Sequence, residues 1–163
     1  MSQNKAKDVK ISNLLKDKFI DLALKETDKK KVIAELVELI AKSKKLTNKK
    51  SFLKAIQERE NLGSTGIGGG VAIPHSKSEA IRDFILVFAR SERGIDFGAL
   101  DGEQTFLFFA LASPKNEVGG HLKILAEISR LVKDKFTVEL LKKAKDRQEI
   151  IKIITMMEGR SNN

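Results

Sequence analysis

Apolar residues recur at Val32, Ile33, Leu36, Val37 and Ile40, one face of a 3.6-residue period. The spacing predicts a helix, and Thr27 or Asp28 stands where a side chain can cap its first turn. A second helix is predicted from about Asn48 to Glu60, with Phe52, Leu53 and Ile56 turned inward. Ahead of these, 11–15 reads as a short helical turn and 19–24 as a first strand. Beyond the glycines that follow residue 62 the pattern becomes strand-like, over 67–73, 84–89 and 105–112. The last two runs are almost wholly apolar, as expected of central strands covered on both faces by helices. After Ser113-Pro114 the period is helical again. Leu122, Leu125, Ile128, Leu131 and Val132 form a stripe that opens with His121. A short helix near 136–143 and a last one from Asp146 complete the chain, and Asp146 and Glu149 have capping-box spacing. Helices, then strands, then helices predict a three-layer α/β domain. Residues 1–10 read as a frayed leader, 11–158 as the domain and 159–163 as a tail, with no internal repeat or interdomain linker.

Composition narrows the class. At 163 residues, 41% hydrophobic and 33% charged, the chain has the make-up of one ordinary globular domain. No apolar run approaches the roughly 18 to 20 residues that span a bilayer, and the start lacks the apolar core of a signal peptide. The absence of cysteine excludes disulfides and thiolate metal sites and fits a reducing compartment, so a cytoplasmic protein is expected. The net charge of +9 suggests nucleic acid until its distribution is followed. Residues 1–50 hold 14 Lys against 7 acidic residues, whereas the remainder is nearly balanced. That lysine-rich third has no Arg, and the chain has no Tyr or Trp to stack on bases. A solvated helix face is the expectation, with no nucleic-acid partner.

The candidate chemistry sits in Gly63-Ser64-Thr65-Gly66-Ile67-Gly68-Gly69-Gly70-Val71-Ala72-Ile73-Pro74-His75. His75 is one of only two histidines, and imidazole is the side chain suited to nucleophilic work near neutral pH. Glycines allow backbone N–H groups to face an anion. Two nucleotide-binding readings fail. No Gly-Lys-Ser/Thr follows, and the cluster opens a strand where a dinucleotide fingerprint opens a helix. His75 alone is compatible with an inert strand-end residue, but Pro74 stiffens its backbone and strand ends in α/β sheets hold ligands. His121 follows Gly119-Gly120 at an expected helix start, where an anion is favoured. Arg59 ends the helix before the glycines, and the phenylalanines of 106–109 read as core.

The run from Gly63 to His75 resembles the active-site segment of the enzyme IIA domains of the bacterial phosphoenolpyruvate–sugar phosphotransferase system. The likeness is to the fructose–mannitol class, type-2 EIIA, which includes the nitrogen-regulatory IIA proteins. It spans about residues 9–158 and takes in Glu58-Arg59-Glu60, Gly94-Ile95-Asp96-Phe97, Leu100-Asp101-Gly102, His121-Leu122, Leu125-Ala126 and Ser129-Arg130-Leu131. The resemblance implies a mixed sheet sandwiched by helices. It also implies a phosphotransferase component with His75 as the phosphoryl-accepting nucleophile, His121 orienting the phosphoryl group and Arg59 stabilising its charge. Gly66, Gly68, Gly70 and Ser76 would make the phosphoryl-site loop. Phospho-HPr would be the donor and a IIB domain the acceptor, without cofactor or metal. A regulatory protein that signals through its phosphorylation state is the alternative. Ser76 departs from the glycine usual beside the active histidine, and the residue before His121 is not acidic.

Overall fold

The computed structural model describes residues 9–161, so most of the expected leader and the last two residues of the expected tail lie outside it. In chain order the elements are α1 (Ile11–Leu14), a 3-10 turn (Asp17–Phe19), β1 (Ile20–Asp21), α2 (Lys29–Ile40), α3 (Lys49–Asn61), β2 (Gly66–Gly68), β3 (Val71–Ala72), β4 (His75–Ser78), β5 (Ile85–Ile95), β6 (Thr105–Pro114), α4 (Val118–Lys133), α5 (Lys135–Lys143) and α6 (Arg147–Ser161). The sheet order is β1-β5-β6-β3-β2, with β4 also on β6. It is mixed: β5 runs antiparallel to β6, while β3 and β4 follow one another along the opposite edge of β6 in parallel register. Helices α2 and α3 pack on each other and on β5 and β4, and α1, α4, α5 and α6 form the second layer.

Strand β6 is buried because its side chains meet helices on both faces, as its continuous apolar run requires. Phe109 meets Phe88 edge-to-face at 5.1 Å, and Phe108 meets Phe97 at 5.2 Å. Short polar side chains cap the helix starts at the expected Asp28 and Asp146 and at Asn48, where only a helix start was expected. Asp28 accepts from the Lys31 N–H at 3.1 Å, Asn48 from Ser51 at 3.0 Å and Asp146 from Glu149 at 2.8 Å. The Glu149 carboxylate returns to the N–H of Lys145, one residue short of the usual capping-box partner.

Several expectations are corrected. The strand expected over 67–73 is a hairpin of β2 and β3, because Gly68, Gly69 and Gly70 take φ of 94°, 65° and 83° and fold the chain back. The strand expected over 19–24 shrinks to Ile20–Asp21 after the 3-10 turn. The apolar runs extend past their expected ends, to Ile95 and Pro114. Leu122 does not face the core: it is 60% exposed and Ile124 takes its place, since Ile124 stands three residues after His121 and four before Ile128 on the buried stripe. The lysine coat is not uniformly solvated either, because Lys29 lies half-buried with its ammonium 2.9 Å from the Glu60 carboxylate.

Candidate functional site

His75 opens β4 and pairs in register with Leu111 of β6. Just before it, the Pro74 carbonyl accepts from the Leu111 N–H at 3.0 Å, so the bend into the histidine is tied to the central strand. The half-buried imidazole places Nδ1 2.6 Å from the Ile73 carbonyl. A carbonyl oxygen can only accept, so Nδ1 carries the proton and Nε2 keeps its lone pair. His121, the fourth residue of α4, is 3% exposed and lies with its ring centroid 5.4 Å from that of His75, tilted by 56°. Its Nδ1 is 2.7 Å from Ser113 Oγ.

Burial lowers the pKa of His75 below 6.5, assisted by the charges of Arg59 and Lys77 and opposed by the Ile73 hydrogen bond and Glu60. Burial, the neighbouring His75 and Lys77 push His121 down to about 4. Both rings are therefore neutral at pH 7. With His75 depressed, any reaction at Nε2 keeps more of its neutral nucleophile at a given pH than an ordinary histidine would, and it weakens as pH falls through the lowered pKa. The pH profile of any reaction at His75 is expected to have its acidic midpoint below 6.5; a midpoint above 6.5 contradicts this electrostatics.

Arg59 lies in the last turn of α3, donates from Nη1 to the Gly63 carbonyl at 3.0 Å, and is close enough for its charge to bear on His75. The adjacent Glu60, 5% exposed, accepts from the Thr65 N–H at 2.8 Å and from Thr65 Oγ1, besides pairing with Lys29. It thereby pins the start of the glycine segment to the end of α3. The Ile73 N–H donates to the Thr65 carbonyl at 3.0 Å, which carries that anchorage to the residues preceding His75.

The loop glycines are not all brought to the histidines. Gly66 pairs with Ala72, and a Cβ there would stand 3.0 Å from the Ala99 Cα, so glycine is needed for the close approach. Gly68 faces the Asp101 carboxylate, and the Gly69 N–H donates to it at 2.9 Å. Gly70 accepts at its carbonyl from Phe106 and Leu107 and lies beside Lys142. Val71 and His75 are four register steps apart on β6, about 13 Å at strand rise. The anion served by the hairpin tip is thus the protein's own Asp101. Ser76 follows His75 in β4, pairs with Ala112, and has no positive φ. Sequence reasoning quoted Glu60 only within a motif and missed Ser113. Glu60 did carry a signal, standing at the inward phase of α3 four residues after Ile56 and eight after Phe52.

Residues 13–157 match the family model described as phosphoenolpyruvate-dependent sugar phosphotransferase system, EIIA 2. The chain belongs to this EIIA family. It is 36% identical over 148 residues to a nitrogen regulatory protein of Bradyrhizobium diazoefficiens, covering 90% of this chain and 95% of that one. It is 32% identical over 140 residues to a fructose-specific EIIA component of Haloferax volcanii, covering 86% and 91%. Among solved structures it superposes on the nitrogen regulatory protein IIA-Ntr of Neisseria meningitidis with a TM-score of 0.83 at 29% identity, covering 88% and 98%. The fold is shared with Escherichia coli mannitol IIA, solved in complex with phosphorylated IIB, at a TM-score of 0.75, 22% identity and coverage of 88% and 99%. EIIA proteins are phosphoryl-transfer components of their system, and both sugar-transport and nitrogen-regulatory members are relatives of this chain. Among the described residues no helix is long and apolar enough to cross a membrane.

Proposed function

We propose that this EIIA chain is a cytoplasmic phosphoryl carrier that takes its phosphoryl group from phospho-HPr onto His75 Nε2 and passes it to a IIB domain for uptake of a sugar of the fructose–mannitol class. The observation that carries this is the Nδ1–H···O=C bond from His75 to Ile73, which leaves the Nε2 lone pair free beside a second neutral imidazole and within the field of Arg59. In the forward step the Nε2–P bond forms as the N–P bond of the donor histidine breaks, and its electron pair returns to the donor ring. Transfer to the acceptor repeats this with roles exchanged. Positioning and charge stabilisation dominate such a step. Arg59 meets the equatorial oxygens with its fork, and His121 hydrogen-bonds them. Ser76 is the loop residue retained at the site, while Gly66, Gly68 and Gly70 act by shaping the segment that ends in His75. Exposed Val118 and Leu122 flank His121 on α4, and exposed Leu62 follows Arg59 by three residues. Such a rim suits a protein partner over a small molecule.

A second reading, a nitrogen-regulatory IIA protein binding targets according to its phosphorylation state, is favoured by the likeness to IIA-Ntr. The chemistry at His75 is the same and the acceptor differs. Labelled phosphoenolpyruvate with enzyme I, HPr and this protein tests the carrier reading; label must appear on wild-type protein and move to a IIB protein. Neighbouring IIB and IIC genes would favour uptake; label retained with every IIB offered would favour the regulatory reading. Arg59→Ala is expected to slow acceptance roughly tenfold to hundredfold with the fold intact. An unaltered rate removes Arg59 from the mechanism.

A further inference from the structure

Ser113 is fully buried near the end of β6, and the contact with His121 Nδ1 at 2.7 Å is its hydroxyl's one hydrogen bond among the described residues. We infer that Ser113 is a positioning residue that holds His121 as the Nε2–H tautomer, opposite to that of His75. One of the two neighbouring imidazoles then offers a lone pair and the other a proton donor. The inference rests on the reading of His75 as the phosphoryl acceptor.

The direction of the Ser113 bond follows from bookkeeping of protons. If His121 Nδ1–H donated to Oγ, the serine proton would need another acceptor, and this fully buried hydroxyl has none among the described residues. If Oγ–H donates to Nδ1, the serine proton is placed and Nδ1 uses its lone pair. The second arrangement satisfies the serine donor and the Nδ1 lone pair together, and it puts the His121 proton on Nε2. At His75 the same logic gives the reverse result, because its Nδ1 faces a carbonyl. Without Ser113, neutral His121 would be free to exchange tautomers. In the Nδ1–H form its Nε2 would present a second lone pair, which repels phosphoryl oxygens and competes with His75 for phosphorus. In the Nε2–H form the ring can only donate at that atom. The serine thus acts through His121 and touches no substrate itself.

The test uses two-bond 1H–15N spectra of the full-length labelled protein at about pH 7.5, where both rings are neutral, with His75→Gln to assign the two histidines. Wild type is expected to show a protonated Nε2 and an unprotonated Nδ1 for His121, with the reverse for His75. In Ser113→Ala the His121 signals should move to the average of both tautomers, and label uptake at His75 should slow about three- to tenfold. Ser113→Thr, which keeps the hydroxyl, should restore both. A protonated Nδ1 on His121 in wild type overturns the inference, as do unchanged His121 signals or unchanged uptake in Ser113→Ala. The wild-type spectrum needs no phosphoryl donor. Wild-type protein with opposite tautomers but no label uptake would leave the tautomer assignment standing and remove the carrier reading instead.

Discussion

Replacing His75 by alanine is expected to reduce phosphoryl uptake to background, more than about a hundredfold below wild type. No other side chain can substitute. The chain has no cysteine and one further histidine, and that ring is almost fully buried with Nδ1 occupied by Ser113. The fold should survive, because the ring is half-buried and its one hydrogen bond among the described residues is to a carbonyl two residues away. A loss of about 1 kcal/mol in denaturant unfolding is the scale for such a bond. Label counting beside a denaturation curve checks both halves of the expectation. Undiminished labelling of a folded His75→Ala protein would move the nucleophile elsewhere.

Glu60→Ala is expected to cost stability on the order of 3 to 5 kcal/mol, because it removes the buried partner of several groups at once. The Thr65 N–H and hydroxyl lose their acceptor, and Lys29 loses its carboxylate while keeping the Phe97 carbonyl at 2.9 Å. Lys29 is about one-third exposed and can turn to solvent, which places the effect towards the lower end of that range. The damage should be local first. Amide exchange should accelerate over 63–66 and at Ile73, whose N–H donates to Thr65. Unfolding midpoints and residue-level exchange measure this, and a change below about 1 kcal/mol would mean that the network contributes little.

Periodicity made the helices legible, together with short polar side chains at their starts; of Thr27 and Asp28 it is Asp28 that caps, Asp146 caps as expected, and Asn48, read only as a helix start, is also a cap. Strands were less legible for physical reasons. His75-Ser76-Lys77-Ser78 is polar and carries no alternation that marks a strand, yet β4 forms because β6 still has an open edge beyond β3. In 67–73 the apolar residues suggest continuity, and only consecutive positive-φ glycines reveal a reversal. Leu122 and Ile124 are equally apolar, and Ile124 is inward because it shares the helical phase of His121, Ile128 and Leu131. For the candidate site, the resemblance picked out His75, His121 and Arg59, and the fold brings the two histidines together with Arg59 within electrostatic reach. Ser113 was invisible because a serine ending a buried strand has no signature until the helix opposite it is placed.

Both imidazoles take their position from one strand. His75 is tied through the pairing of β4 with β6, and His121 through the Ser113 hydroxyl two residues beyond Leu111. The His75 half of the pair's spacing is therefore quantised: sliding β4 along β6 means a whole register step, about 3.3 Å, that would also turn the side chains to the wrong face. Helix fraying or loop motion elsewhere does not stretch it by small amounts. A site built this way does not drift with sequence change around it; it keeps its gauge or loses it outright.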